Sequence, residues 1–551
     1  MKIALAQTNC LIGDFEGTLK NMQGCIERAR REGVELVVFP ELSICGYPPL
    51  DFLEYDDFIK KSAETCEALA QSCKGISAIV GAPVINPRIE GKNLLNAALL
   101  LSEGRIHSVT AKTLLPDYDV FDEYRYFESN AHFKCIRAGG IKIALTICED
   151  LWDVEEDKMY VRWPMEELMK EKPDLMINIA ASPFSARQQE IRKRVLNSAC
   201  RQFKIPLIYV NHAGAHTELV FDGGSLVMNR HGNVVLELDY FSPDFRIIDT
   251  ELIDIAPAVA FDKECFTDKE GRIGLIKKAL MLGIQDFFRK SGFSKAVLGL
   301  SGGVDSALVY ALAIEALGKE NVLGVLMPSP YSSGHSVNDA LQLAENLGGA
   351  TETVPINGPF EAFLTSLSGP FHGLPADITE ENIQARIRAI LLMAYSNKKG
   401  YILLNTSNKS EAAVGYGTLY GDMAGSLSVI GDLYKTQVYE LCRYLNREKE
   451  IIPENILCKE PSAELRPGQK DSDSLPPYDL LDQILYQYIE LKQGPEAIAE
   501  KGFDPQLVKR VLALVNKNEF KRFQSPPVLR VSGKSFGIGR RMPLVGKYLT
   551  Q

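Results

Sequence analysis

The chain has 551 residues, a formal net charge of −10 and 46% hydrophobic residues. The acidic excess argues against a primary nucleic-acid binder, which would need a basic face, so no nucleic-acid partner is expected. No apolar run reaches the roughly 18 residues of a membrane span, since Gly302, Gly303, Asp305 and Glu315 break the most apolar stretch, Ala296 to Leu317.

The opening Met-Lys-Ile-Ala-Leu-Ala-Gln-Thr alternates like a strand and lacks the apolar core and cleavage site of a signal peptide. The 11 cysteines are scattered, with no CxxC pair, which speaks against a disulfide framework or a zinc ribbon. A reducing, cytoplasmic location is therefore expected. Further strands are expected at Glu35–Phe39, Ala78–Val84, Ile141–Ile147, Leu175–Ile179 and Leu207–Val210, after a first at Ile3–Gln7. Amphipathic helices are expected at Thr18–Arg31 and Gln188–Gln202, and hairpin material at Gly223–Leu238. The rhythm fades over about 252–272, which is expected to link a domain at 1–251 to one at 273–551. The second restarts with a helix over Ile273–Lys290. Strands at Ala296–Leu300, Val322–Met327, Thr351–Ile356 and Tyr401–Asn405 alternate with helices, as in a doubly wound parallel sheet. Asp471–Pro477, rich in Asp, Ser and Pro, reads as a mobile loop.

Three segments of the first half end in reactive residues: Phe-Pro-Glu41, Ala-Lys112-Thr and Ile-Cys148-Glu-Asp. A thiol needs a nearby base, and a carboxylate serves if burial raises its pKa. A lysine can hold an oxyanion. Glu, Lys and Cys thus suffice to hydrolyse an amide without histidine, although a strand-end cysteine can equally be a small packed hydrophobe. These segments, in this order, resemble the motifs of the nitrilase/carbon–nitrogen hydrolase superfamily over roughly residues 1–250. The resemblance implies an α/β/β/α sandwich in which Glu41 is the general base, Lys112 stabilises charge and Cys148 forms a thioester. It also implies glutamine-binding roles for Tyr118, Glu123 and Ser182, with a solvated loop acid as the alternative for Glu123.

The second constellation is Ser301-Gly302-Gly303-Val304-Asp305-Ser306, between a buried strand and a helix. Its glycines let backbone N–H groups approach an anion, the helix N-terminus favours negative charge, and the serines add donors. Asp305 in an anion site implies a cation, and magnesium fits. No lysine follows as in a Walker A loop, and Gly533-Lys534-Ser535 has Val528 where the first glycine should be. Gly299-Leu-Ser301-Gly-Gly303 also matches a serine-hydrolase elbow, but only His335 and His372 lie downstream. The loop is similar to that of the N-type ATP pyrophosphatases. With Glu381–Arg388, Asn405–Glu411, Gly415–Asp422, Gly431–Val438 and Pro461–Leu465, the second half resembles the NAD synthetase family. With the nitrilase-like half in front, the chain resembles that family's glutamine-dependent branch.

The resemblance implies an adenine nucleotide alpha-hydrolase-like second domain using ATP and Mg2+. Asp305 and Glu411 would be magnesium ligands. Ser301, Gly302, Gly303, Asp305, Ser306, Thr406 and Lys435 would bind ATP, and Arg386, Asp422 and Lys534 deamido-NAD. After Asp422 the loop reads Met-Ala-Gly-Ser instead of Gly-Gly-Ala/Val-Asp, so a second acid there has no support. The expected small-molecule substrates are deamido-NAD, ATP and L-glutamine, and the expected assembly is a homo-oligomer, a dimer or higher. The rival reading is another amidating or thiolating enzyme on the same ATP loop.

Overall fold

The computed structural model describes residues 1–152, 159–259 and 269–549. The chain divides into two compact units, Met1–Asp268 and Lys269–Gln551. Residues 260–268 of the expected linker lie outside the described residues.

The first unit contains β1 (Lys2–Gln7), β2 (Leu36–Val38), β3 (Ser77–Ile85), β4 (Leu94–Ser102), β5 (Arg105–Ala111), β6 (Ile136–Ala138) and β7 (Ile141–Ile147). It continues with β8 (Leu175–Ala180), β9 (Leu207–Asn211), β10 (Ala213–His216), β11 (Leu219–Asp222), β12 (Leu226–Met228), β13 (Val234–Glu237) and β14 (Asp244–Asp249). Two six-stranded sheets form, β14-β1-β2-β3-β4-β5 and β13-β12-β9-β8-β7-β6. Each has a parallel centre, β1-β2-β3 or β7-β8-β9, flanked by antiparallel strands.

The period-2 pattern of β1 explains the layers. Ile3 and Leu5 pack with Ile143 and Leu145 between the two sheets. Ala4 and Ala6 face outward onto Met22, Ile26 and Ala29 of the helix Phe15–Arg31. Small residues there let the helix lie close. The helix starts where the Asp14 carboxylate accepts from the Gly17 amide at 2.9 Å. Helix Asp56–Gln71 covers the same sheet, and Pro164–Met169 and Gln188–Phe203 cover the other. The result is an α/β/β/α sandwich. β4 was not anticipated: its mostly apolar run, interrupted by Asn96, has neither strand nor helix periodicity, because both faces are buried.

In the second unit, helix Lys269–Ser291 leads into β15 (Ala296–Gly299), β16 (Val322–Leu326), β17 (Ala350–Thr353), β18 (Ile402–Asn405) and β19 (Leu427–Ser428). These form one parallel sheet in the order β17-β16-β15-β18-β19. The order reverses between β15 and β18, so the crevice beyond their carboxyl ends is where such a sheet receives ligands. Helices Tyr478–Ile489 and Pro505–Lys517 pack on Ala413 and Val414 in a further core. The segment at Asp471 is anchored rather than loose. Its buried carboxylate accepts from Tyr416 Oη at 3.1 Å and Tyr478 Oη at 2.9 Å, and Leu475 enters the helical core.

Candidate active sites

In the first unit, Glu41, Lys112 and Cys148 follow the ends of β2, β5 and β7 and are all buried. Lys112 Nζ donates to Glu41 Oε1 at 2.7 Å and to Glu123 Oε1 at 2.9 Å. Glu123 therefore belongs to the cluster and is not a solvated loop acid. Asn96, the polar residue within the apolar β4, donates to Glu41 Oε1 at 2.7 Å and Glu123 Oε2 at 3.3 Å. The Ala181 amide donates to Glu41 Oε2 at 3.0 Å, and Tyr47 Oη donates to Glu123 Oε1 at 2.9 Å. Every carboxylate oxygen of this pair has a donor, which makes burial of the charges tolerable.

Cys148 opens a short turn with φ 44°, in the left-handed region, so the chain bends sharply at the thiol. Asp150 ties this bend to the lysine loop. Its carboxylate accepts from the amides of Thr113 at 3.0 Å, Leu114 at 2.9 Å and Ile147 at 3.1 Å. Burial pushes the Cys148 thiol well above the ordinary range, Glu41 adds to this, and Lys112 opposes it. Burial also pushes Glu123 up to about 7 against the pull of Lys112. Burial alone would lower Lys112, but the Glu123 and Glu41 carboxylates hold it well above its usual value. These shifts favour a protonated Cys148 thiol beside a charged Lys112.

Tyr118 reaches the neighbouring residue Glu149, donating its hydroxyl at 2.8 Å, and Tyr160 donates to the same oxygen at 3.1 Å. Glu149 is buried, and that burial raises its pKa. Ser182 is buried beside an internal ion pair, with Arg192 Nη2 at 3.4 Å from its Oγ and 2.8 Å from Asp222 Oδ1. Tyr47, Asn96, Glu149, Asp150 and Ala181 were missed. A lone Asn inside an apolar strand is a readable signal. The amide of Ala181 is not, since every residue type has one.

In the second unit, the Ser301–Ser306 loop lies between β15 and the helix Val304–Leu317. Gly302 has φ 78°, and a Cβ there would stand 2.2 Å from the Ser336 carbonyl oxygen, so only glycine fits. Ser301 Oγ and Ser306 Oγ lie 3.0 Å apart, and Ser301 Oγ accepts from the Gly303 amide at 3.2 Å. Lys435 Nζ bridges Asp305 Oδ2 at 2.5 Å and Glu411 Oε1 at 3.2 Å. Asn408 Nδ2 donates to Asp305 Oδ1 at 2.9 Å. Burial pushes Glu411 up to about 8, with Lys435 opposing and Asp305 adding. Two carboxylates already gathered around an ammonium fit a hard divalent cation, which takes one or two carboxylates plus phosphate and water oxygens.

Two cavities share Ser301, Ser336, Thr406 and Asp422 in their walls. One, of about 190 Å³, is polar and holds the glycine loop, Glu411 and Lys435. The other, of about 240 Å³, is walled by Val325, Leu392, Leu404 and Arg388. Arg388 Nε donates to the Met327 carbonyl at 3.1 Å, and burial pushes its guanidinium down to about 10. Asp422 is an exposed residue in the walls of both cavities, where partial desolvation raises its carboxyl. Arg386 lies outside both cavities and donates to the Leu419 carbonyl at 3.2 Å. Lys534 also lies outside them, its carbonyl accepting from the buried Lys409 at 2.9 Å.

A carbon-nitrogen hydrolase family matches residues 2–258, and an NAD synthase family matches residues 276–525. The chain is 44% identical to the glutamine-dependent NAD(+) synthetase of Synechocystis sp., covering 100% of this chain and 99% of that one. It is 41% identical to the Thermotoga maritima enzyme of the same name, at 100% and 99% coverage. The glutamine-dependent NAD+ synthetase of Acinetobacter baumannii, solved in complex with ADP, superposes with TM-score 0.76 at 35% identity, covering 98% of both chains. A synthetase from Cytophaga hutchinsonii shares the fold, with TM-score 0.82 at 23% identity over 99% of this chain and 98% of that one. A nitrilase-like amide-hydrolysing unit and an ATP-using NAD synthase unit on one chain, with full-length relatives of this kind, place the protein in the family of glutamine-dependent NAD(+) synthetases.

Proposed function

We propose that the two sites divide the family's reaction as follows. In the first unit Glu41 takes the proton from Cys148, and the thiolate attacks the side-chain amide carbon of glutamine. Lys112 holds the oxyanion, the C–N bond breaks, and ammonia leaves with the proton Glu41 took. Water then attacks the thioester, Glu41 again accepting a proton, and glutamate departs. Glu123 keeps Lys112 charged and aimed. Glu149, with Tyr118 and Tyr160, offers an acidic end for the α-ammonium of glutamine, and Ser182 supports the same pocket. The observation that carries this reading is the fully satisfied Glu41–Lys112–Glu123 cluster buried beside Cys148.

In the second unit the apolar cavity suits adenosine, and the Ser301–Ser306 loop with Thr406 and Lys435 suits the phosphates. The carboxylate of deamido-NAD attacks the α-phosphorus, pyrophosphate leaves, and ammonia displaces AMP from the acyl adenylate. Magnesium, held by Asp305 and Glu411, would neutralise phosphate charge. Asp422 lies in both cavity walls, where it can orient deamido-NAD and the incoming ammonia. Arg386 and Lys534 are proposed as deamido-NAD contacts on the family resemblance alone. Ammonia released into water near pH 7 would become non-nucleophilic ammonium, so direct transfer between the sites is part of the proposal.

Among the described residues the cysteines are free thiols, which supports a cytoplasmic location. No described helix is long and apolar enough to cross a membrane. A homo-oligomer is proposed from the resemblance, and sedimentation tests it. The reaction itself is tested by product analysis with ATP, magnesium, deamido-NAD and glutamine. NAD, AMP and pyrophosphate in equal amounts are expected, and ADP in place of AMP would overturn the assignment.

A further inference from the structure

We infer that the dipeptide Asn211-His212, at the end of β9, positions the general base Glu41 by gripping it from both ends. The inference rests on the proposed role of Glu41. Glu41 lies in the turn that follows β2 of the other sheet and is followed by Leu42 at φ 46°, a left-handed conformation that a leucine keeps only if its surroundings enforce it. The turn is also crowded: a Cβ on Gly81 would fall 2.1 Å from the Leu42 nitrogen. A catalytic carboxylate on such a turn needs its main chain and its head held separately.

His212 holds the main chain. Its buried ring places Nε2 2.6 Å from the Glu41 carbonyl oxygen. A carbonyl only accepts, so Nε2 must carry the hydrogen. The other ring nitrogen, Nδ1, faces Cys10 Sγ at 3.7 Å, and the Phe221 ring packs at 5.8 Å between centroids. The tautomer and plane of the ring are thereby set.

Asn211 holds the head, acting through the next loop. Its Oδ1 accepts from the Ser182 amide at 2.9 Å, and its Nδ2 donates to the carbonyls of Ser182 at 3.2 Å and Gly223 at 3.1 Å. This fixes the peptide beside Ala181, whose amide donates to Glu41 Oε2 at 3.0 Å. Two adjacent residues thus set both the carbonyl and the carboxylate of Glu41. Both are positioning residues. A shift of about 1 Å in a catalytic group can cost roughly 100-fold in turnover.

The test uses the full-length enzyme and compares His212→Gln, His212→Asn and His212→Ala. Glutamine shares a terminal N–H donor at the reach of Nε2, whereas asparagine ends at the reach of Nδ1. Glutamine hydrolysis by His212→Ala and His212→Asn should fall about 10- to 100-fold in kcat, with KM for glutamine within about threefold. His212→Gln should recover to within about fivefold of the parent. Synthesis from ammonium salt should persist in all three, and a thermal transition of the first unit unchanged from the parent shows that each variant is folded. Equal behaviour of the Gln and Asn variants would overturn the inference, as would a rise in KM at unchanged kcat. Glu41→Gln is the separate arm. If it keeps hydrolysing glutamine, the reading of Glu41 as base is wrong; if it is inactive while His212→Ala hydrolyses normally, only the positioning is wrong.

Discussion

Both sites hold a buried lysine between two carboxylates, and they differ in what lies next to the lysine. Lys112, between Glu41 and Glu123, is enclosed by Asn96, Tyr47 and the Ala181 amide, with a side-chain exposure of 0%. Lys435, between Asp305 and Glu411, borders an open polar cavity, and each of its carboxylates keeps 17% exposure. The same ion triplet therefore serves two purposes. On the proposed mechanism the sealed version would fix charge for proton transfer to and from the Cys148 thiol. The open version leaves carboxylate faces able to accept a second cation and the phosphates it accompanies.

The largest effect separating the two should come from Asp305→Ala. It should lower NAD synthesis about a thousandfold from glutamine and from ammonium alike, while glutamine hydrolysis continues. Release of AMP and of glutamate, measured together, would show the split; a loss confined to glutamine-supported synthesis would break the comparison. Next comes Asp150→Ala, which leaves three backbone N–H groups of the Lys112 and Cys148 loops without their carboxylate. We expect glutamine hydrolysis to fall roughly 100-fold, with about 1–3 kcal/mol lost from the first unit, read as an earlier thermal transition.

A smaller effect is expected of Glu123→Gln, about tenfold on glutamine hydrolysis. Its pH signature is more specific. Burial raises the Glu123 carboxyl from its ordinary 4.5 to about 7, so the native state keeps a proton that the unfolded chain has released. That contribution to stability is fully present below about 4.5 and is lost as pH rises through about 7. The variant should therefore show a flatter dependence of unfolding temperature on pH across that window than the parent. Unchanged curvature would mean that Glu123 is ionised throughout. The smallest effect is expected in the apolar cavity, where Arg388→Gln should raise KM for ATP about tenfold and leave glutamine hydrolysis unaffected.

The sites were legible where a motif ends a strand. Glu41 and Cys148 each follow a strand whose pattern the sequence displays, whereas Lys112 follows β5, which was not among the expected strands; the Ser301–Ser306 loop announces itself by two glycines before a helix. The partners that complete each site were not legible. Asn96 lies in an apolar run with no clear periodicity, and Ala181 contributes only its amide. Asn211 and His212 act across a sheet-to-sheet contact from about 170 residues away in the chain, as the His212–Glu41 separation of 171 shows. In the second half the resemblance put Arg386 on deamido-NAD and did not single out Arg388, which helix Ile378–Lys399 turns into the wall of the apolar cavity, since residues two apart on a helix face different directions.

The central claim is that one unit makes ammonia and the other consumes it. Cys148→Ala tests this most directly, with NAD formation measured from glutamine and from ammonium salt at equal ATP, magnesium and deamido-NAD. The account predicts that synthesis from glutamine disappears while synthesis from ammonium continues at the parent rate. Loss of both, or retention of both, would contradict it.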